Sequence, residues 1–407
     1  MFRSKSTTEE AMKNQNDLAL ILSQLLFSTK AKHSNTVFSP ASINAALTLA
    51  ASGPDVVTLF YHPFDSSASR PGGSSAATKE ILSFLRSSSI DELNSVFSKI
   101  VSVVFTDHSA NGGPKISSVN GVWIEQSLPI DDSSFKDIFE KTFKASFDRV
   151  DFRSKAEEVC VELNSWASSH TNGLIKDLLP HGSVTEETDV VYGNALYFKG
   201  QWEKPFDKSY TRDKEFHLLD GTSVSVPFMS SYKNQYIKAY DGFKVLRIPY
   251  RQSHGDTNRI SPYRQGGDDT NRGFSMYFYL PDKKDGLDHL VKTMASTYEF
   301  LDGHVPIYQA YVNEFRIPKF KIADGLSGGD LGFSAMPLFH KACIEIDEEG
   351  AEAAAATFCS SGGGCGFMPP PRIDFVADHP FLFLIREDTT GTVLFVGQIF
   401  HPSQTSS

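Results

Sequence analysis

The order in which apolar patterns appear along the chain constrains its fold most. Helical periodicity, with apolar residues three and four apart, dominates the first quarter, over residues 9–29, 39–51, 77–86 and 91–105. Pro40 falls in the first turn of the second segment, where a missing N–H costs little. Strand-type runs follow at 118–124, 190–197, 236–240, 244–248, 274–280, 312–322, 343–346, 373–376, 381–385 and 393–400. These runs are rich in Phe, Tyr, Val and Ile. Helices early and strands late, without a strict strand–helix–strand rhythm, predict an α+β fold with antiparallel sheets. Between the helical segments, residues 53–76 are rich in Ser, Pro and Gly and read as an exposed loop.

With 40% apolar, 12% aromatic and 22% charged residues among 407, the chain can bury a sizeable core. A largely disordered protein and a collagen- or mucin-like one are thereby excluded. Thirty-nine basic against 49 acidic side chains give a net charge of −10, and no concentrated Lys/Arg stripe offsets it. No nucleic-acid partner is expected. The first 17 residues are polar and mixed in charge, unlike a secretory signal. The apolar run 18–27 is ten residues long and broken by Ser23 and Gln24, which suits an amphipathic helix and not a membrane span. No Asn heads an Asn-x-Ser/Thr sequon. A cytoplasmic protein with no membrane partner is expected, with extracellular presence by a non-classical route left open. Four cysteines are too few and too scattered for a disulfide scaffold.

One duplication is visible. Pro249-Tyr-Arg-Gln252 and Asp256-Thr-Asn-Arg259 recur thirteen residues later as Pro262-Tyr-Arg-Gln265 and Asp269-Thr-Asn-Arg272. The repeat is polar and lies between strand signals, so it reads as a lengthened surface loop. Enzyme motifs are mostly absent: there is no zinc-binding His-Glu-x-x-His, no phosphate-binding glycine loop and no Cys-x-x-Cys. Gly325-Leu-Ser327-Gly-Gly329 fits a nucleophile elbow, which needs a strand before it and a helix after it. The strand is present in the pattern, but Gly332 and Pro337 stand where the helix should begin. No catalytic residue is assigned, and the chain is read as a non-enzyme.

The informative stretch begins where a strand ends at Asp347, Glu348, Glu349 and Gly350. Small side chains follow from Ala351 to Thr357, interrupted by Glu352, and then a Gly/Ser tract runs to Gly366. The residues themselves allow two readings. Alanine is the best helix former, so a short surface helix and a linker are one. Small side chains at every second position could instead slip between two existing strands, because strand side chains alternate faces.

The run Glu349-Gly350-Ala351-Glu352-Ala353-Ala354-Ala355-Ala356-Thr357 resembles the hinge of the reactive-centre loop of serpins, plant-type members in particular. Further matches are Phe38-Ser39-Pro40-Ala41-Ser42-Ile43, the segment from Asn194 to Trp202, Phe339-His340-Lys341-Ala342, Asp378-His379-Pro380-Phe381, and the segment from Gly391 to Gly397. Five ordered matches besides the hinge span nearly the whole chain.

The resemblance implies a single serpin domain over 1–407, with about nine helices and three sheets. Within it, 54–70 is an insertion, 249–273 the duplicated surface loop and 348–372 the reactive-centre loop. It implies a suicide-substrate inhibitor of serine endopeptidases, extending to papain-like cysteine proteases. The cut loop would insert into the main sheet while the protease is held in a covalent complex. A monomer without cofactor or metal is implied. Glu348 through Thr357 would be the hinge, with Ala351, Ala353, Ala355 and Thr357 facing the core after insertion and Glu352 in solvent. Family spacing from both ends places the reactive bond between Gly364 and Cys365. A glycine bait implies a protease preferring small residues. The alternative is a non-inhibitory serpin, cleaved as a substrate and serving as a binding or storage protein.

Ser39, Ser42, Asn194, His340 and Trp202 are implied as structural residues of the sheet's shutter and breach. His340 and His379 would hydrogen-bond under the sheet, and Trp202 would pack at its top. The segment 323–338 is shorter than is usual in the family and unpatterned, which leads us to expect a weakened sheet edge. Cys359 and Cys365 are expected as free thiols, and Cys160 and Cys343 as buried core residues.

Overall fold

The computed structural model describes residues 7–54, 76–171, 173, 175–252, 272–333, 336–350 and 372–404. Eight α-helices lie among them: α1 (Thr7–Ser28), α2 (Pro40–Ala51), α3 (Ala76–Phe84), α4 (Ile90–Lys99), α5 (Asp132–Asp137), α6 (Phe152–His170), α7 (Leu287–Ser296) and α8 (Phe300–Gly303). α4 runs on into a π-helical turn over Ile100–Val104, which together match the expected helix 91–105. Ser39 caps α2 by accepting the Ser42 N–H, with Pro40 in the first turn as anticipated. No helix among the described residues is long and apolar enough to cross a membrane.

The strands form three sheets. In the six-stranded sheet, β1 (Thr36–Phe38), β15 (Val393–Ile399), β14 (Phe381–Glu387), β9 (Phe274–Pro281), β8 (Phe243–Pro249) and β7 (Tyr236–Tyr240) lie side by side, all antiparallel. A four-stranded sheet orders β13 (Phe375–Val376), β10 (Phe315–Pro318), β6 (Ser223–Ser230) and β5 (Arg212–His217). The third orders β11 (Phe320–Ser327), β12 (Leu338–Ile346), β4 (Val190–Lys199), β2 (Lys115–Glu125) and β3 (Ser146–Val150).

Two sequence expectations change. The run 312–322 is two strands in two sheets. Pro318 ends β10, the Lys319 N–H bonds Pro227 O outside either ladder, and β11 starts afresh in the five-stranded sheet. The segment 323–338 is not an unpatterned weak edge. β11 continues to Ser327 and pairs with β12 over eight residues, from Phe320↔Ile346 to Ser327↔Phe339. In the connection that follows, Leu331 and Phe333 are buried and Phe333 meets Phe84 edge to face. The Ser327 hydroxyl bonds Asp330 at 2.9 Å, and only the three-residue 3-10 turn Gly329–Leu331 follows, so the nucleophile-elbow context is absent. Most of the duplicated segment, and the 54–70 insertion beyond Pro54, lie outside the described residues.

Both faces of the five-stranded sheet are covered. Beneath it, α2 packs on β4, β12 and β15, wedged between the two large sheets. On the outer face, α6 and residues 175–184 bury Trp123, Val191, Ala195 and Phe339. Trp123 fits there because Gly121 and its cross-strand partner Gly193 leave space for the indole. A Cβ at Gly121 would stand 2.1 Å from the ring, and one at Gly193 2.8 Å. Gly193→Ala is therefore expected to overpack this face and cost about 1–3 kcal/mol, read as a lower urea midpoint at unchanged slope. An unaltered midpoint would show that the indole can move aside freely.

Candidate functional site: the seam between two parallel strands

β4 and β12 are parallel neighbours, paired from Leu338↔Tyr192 to Cys343↔Tyr197. There their ladder stops, whereas β4 continues to Lys199 and β12 to Ile346. The chain leaves β12 at Asp347, turns, and passes Gly350. A segment that doubles back after β12 runs antiparallel to β12, and because β4 is parallel to β12, antiparallel to β4 as well. The seam is therefore the one place in this sheet where a single returning strand can satisfy both neighbours with the stronger, antiparallel pattern.

The turn at the top of β12 is held tightly. The Asp347 carboxylate accepts the N–H groups of Glu349 and Gly350 at 2.8 and 3.1 Å. Trp202 donates its backbone N–H to Glu349 O and its indole Nε1–H to Asp347 O, both at 2.9 Å. Its ring is buried and stacks on Tyr250 with centroids 4.6 Å apart. Trp202 thus packs beside the end of β12 and fastens the turn from Asp347 to Gly350. Gly350 has φ +126°, and a Cβ there would come within 2.3 Å of Gly200 O, so glycine is required. Glu348 is buried and accepts from Lys319 Nζ at 2.8 Å and Thr211 Oγ1 at 2.7 Å. Burial pushes its carboxyl up, but these two bonds outweigh burial and hold it below the usual range. Glu349 pairs with Lys208 at 2.5 Å.

Beneath the seam lies a buried polar network. Asn194 of β4 and His340 of β12 are register partners. The Ser39 N–H donates to His340 Nε2 at 3.1 Å, which places the ring proton on Nδ1, facing Asn194 Oδ1 at 2.7 Å. The same Asn194 oxygen accepts the Ser42 hydroxyl at 2.6 Å. Asn194 Nδ2 donates to Asn120 Oδ1 at 2.7 Å, and Asn120 Nδ2 reaches Phe143 O at 3.4 Å. The network therefore ties β2, β4, β12 and α2 together across the seam. Burial, with a smaller contribution from the Lys30 charge, holds the His340 imidazole down at about 3, so the ring is neutral.

Ser39, Ser42, Asn194 and His340 thus meet in one cluster, while Trp202, Glu348, Glu349 and Gly350 meet in another at the top of the seam. Ala351, Glu352, Ala353, Ala354, Ala355, Ala356, Thr357, Gly364 and Cys365, with Cys359, lie outside the described residues. Sequence reasoning missed Asn120, Thr211, Lys319 and Tyr250. Asn120 had a signal, a lone amide between Val119 and the apolar run Gly121–Ile124. His379 bonds Pro281 O at 2.8 Å beside the six-stranded sheet and not under the five-stranded one. Cys160 is buried, but Cys343 is only half-buried, on the outer face of β12. Among the described residues no group of His, Cys, Asp and Glu is arranged to hold a metal ion.

The neutral His340 sets a pH dependence. Its folded value lies below that of a free imidazole, so its stabilisation is complete above about pH 6.5 and is lost as pH falls towards about 3. His340→Gln should cost about 1–3 kcal/mol at neutral pH by leaving buried partners unmade. It should also lose less stability than the wild type between pH 7 and 4.5 in urea melts. Parallel pH profiles for the two proteins would contradict the neutral buried ring.

Comparison with known proteins shows the family. The family model described as Serpin (serine protease inhibitor) matches residues 67–331 and 332–402. Serpin-Z1 of Arabidopsis thaliana is 58% identical over 403 residues, covering 97% of this chain and 96% of its own length. Another relative from the same plant, named "Probable non-inhibitory serpin-Z5", is 57% identical over 400 residues, covering 97% of this chain and 85% of its own. The solved structure of Arabidopsis AtSerpin1 in its native stressed conformation superposes with a TM-score of 0.81 at 42% identity, covering 98% of this chain and all of the other. Human thyroxine-binding globulin, 22% identical with a TM-score of 0.75 over 98% of this chain and all of its own, shares the fold. With a matching family model over most of its length and relatives above half identity throughout, the chain belongs to the serpin family.

Proposed function

We propose that this serpin inhibits endopeptidases as a suicide substrate. A serine protease, or a papain-like cysteine protease, attacks the Gly364 carbonyl. The peptide bond to Cys365 breaks, the new amine at Cys365 leaves with the proton taken from the nucleophile, and Gly364 stays bound to the enzyme as a serine ester or a cysteine thioester. The freed segment from Ala351 onward then enters between β4 and β12 before water reaches the ester. The parallel β4–β12 seam, continuous with the hinge at Gly350, carries this reading. Insertion exchanges one short parallel ladder for two antiparallel ones. Each added bond contributes roughly 0.5–1.5 kcal/mol net, so a dozen inserted residues give a large downhill step. About fifteen extended residues, Gly350 to Gly364, reach roughly 50 Å, which is enough to carry the ester along the sheet. A bait of Gly363 and Gly364 favours proteases that accept small residues. A reducing compartment, in keeping with the cytoplasmic expectation, keeps Cys359 and Cys365 as thiols.

A second reading has a specific basis. One close relative carries the name non-inhibitory, and Gly362–Gly364 weaken an inserted strand by roughly 0.5–1 kcal/mol each relative to alanine. Such a molecule would be cut without trapping and would act through binding or storage.

Incubation with an elastase-like protease separates the two, since trapping leaves an SDS-stable complex and the second reading leaves only cleaved product. Insertion should raise the melting temperature of the cleaved chain by about 10–20 °C. Ala353→Arg should abolish the complex while leaving cleavage intact, because an arginine facing the core stalls insertion. A cleaved chain that melts no higher than the intact one would refute the mechanism.

A further inference from the structure

β11 is an outer strand of the five-stranded sheet. An outer strand turns half of its backbone N–H and C=O groups away from its one neighbour, which makes it a template for another chain. On β11 those groups can be identified. The Gly328 N–H donates to Leu338 O at 2.8 Å, extending the ladder with β12 by one pair. Because an antiparallel ladder alternates by residue, Leu326, Asp324 and Ile322 likewise bond β12, whereas Ser327, Gly325, Ala323 and Lys321 direct their backbone groups outward.

Side chains close part of this edge. The outward N–H of Ser327 donates to Asp330 Oδ2 at 2.7 Å, and that of Gly325 to Asp324 Oδ1 at 2.9 Å. Lys30, just beyond the end of α1, donates Nζ to Gly325 O and stands 3.4 Å from Asp330 Oδ2. Thr36 of β1 donates its hydroxyl to the other oxygen of Asp324. Burial pushes the Asp330 carboxyl up, but its bonds from Ser327 and the Lys30 charge outweigh burial and hold it below the usual range. Residues from three places in the chain thus converge on the backbone of Gly325 and Ser327.

The register shows which partner they exclude. A second copy of β11 laid antiparallel on the first, centred on Ala323, makes a two-fold contact in which Ala323 meets Ala323 and Lys321 meets Gly325 on either side. Each of these pairs exchanges two backbone bonds. The two flanking pairs therefore depend on the Gly325 N–H and C=O, which Asp324 and Lys30 already hold. Side chains raise little obstacle there, since alanine and glycine are the smallest available.

We propose that Lys30, Asp324 and Asp330 form a cap that keeps two copies of this chain from joining edge to edge through β11. A second copy is the partner because the strand is complementary to itself in this register. The proposal stands apart from either functional reading above and uses only residues of the sheet edge.

The test compares the sedimentation of wild type, Lys30→Met/Asp324→Ala and, as a control, Thr36→Val, which loosens the Asp324 side chain but leaves Gly325 capped. Lys30→Met alone serves if the double variant does not fold. Wild type and Thr36→Val should sediment with the mass of one chain, and the double variant with twice that mass. Adding Ala323→Pro to the double variant should restore the single-chain mass, because proline removes the central outward donor without touching the ladder to β12. A double variant that stays monomeric, or whose association survives Ala323→Pro, would overturn the proposal. So would a wild type that already pairs, or a Thr36→Val variant that associates as fully as the double variant, since loosened packing rather than a freed edge would then be the cause.

Discussion

The contact on which this molecule turns is the one between Asn194 and His340, directly opposite each other across two parallel strands. A parallel pair joined to a chain that returns past its own end is an unfinished arrangement. A returning segment has the direction to pair with both strands, and the seam between them is closed. Any strand entering there must separate Asn194 from His340, and with them the Ser39, Ser42 and Asn120 bonds that converge on the same atoms. The network is small, fully buried and satisfied, the state in which polar groups inside a protein specify one arrangement most firmly.

Closure is local, however, and the upper seam has a different character. Above Cys343 and Tyr197 the two strands continue without a shared ladder, and the structure is held from the side by Trp202, Thr211, Lys319 and Lys208 acting on Asp347, Glu348 and Glu349. Exposed ion pairs such as Lys208–Glu349 contribute little. The indole bond from Trp202 and the buried Glu348 carboxylate carry more. The sheet is thus locked in its middle and clasped at its mouth.

How much of this was legible in the sequence depended on whether a residue's role showed in its own neighbourhood. The helices of the first quarter and the Phe/Tyr-rich strands were legible because each buries one face with its own periodicity. β5 was not: of its six residues only Phe216 is buried, so a charged edge strand leaves almost no alternation to read. α6 carried a helical stripe, Phe152, Val159, Cys160, Leu163 and Ala167, diluted by polar neighbours. The break at Pro318 was hidden because both halves of the run look like strand, and only the sheets they join tell them apart. The lock itself was half legible. Ser39, Ser42, Asn194 and His340 stood out through family resemblance, yet nothing local says that residues 301 positions apart share a hydrogen bond, and Asn120 entered only with the coordinates.

The intact edge narrows the question of what separates an inhibitor from a mere substrate in this chain. The eight-residue ladder of β11 to β12 is complete. The seam, its lock and the Gly350 hinge are likewise in place. Under the proposed mechanism the loop residues least suited to an inserted strand are Gly362–Gly364, which would come last into the sheet. Under that mechanism residues entering last would add little to the early steps that must outrun hydrolysis, whereas Ala351, Ala353 and Ala355, entering first, would be small enough to pass. On the proposed mechanism the glycine tract would set which proteases bite, and the alanine tract whether they are caught.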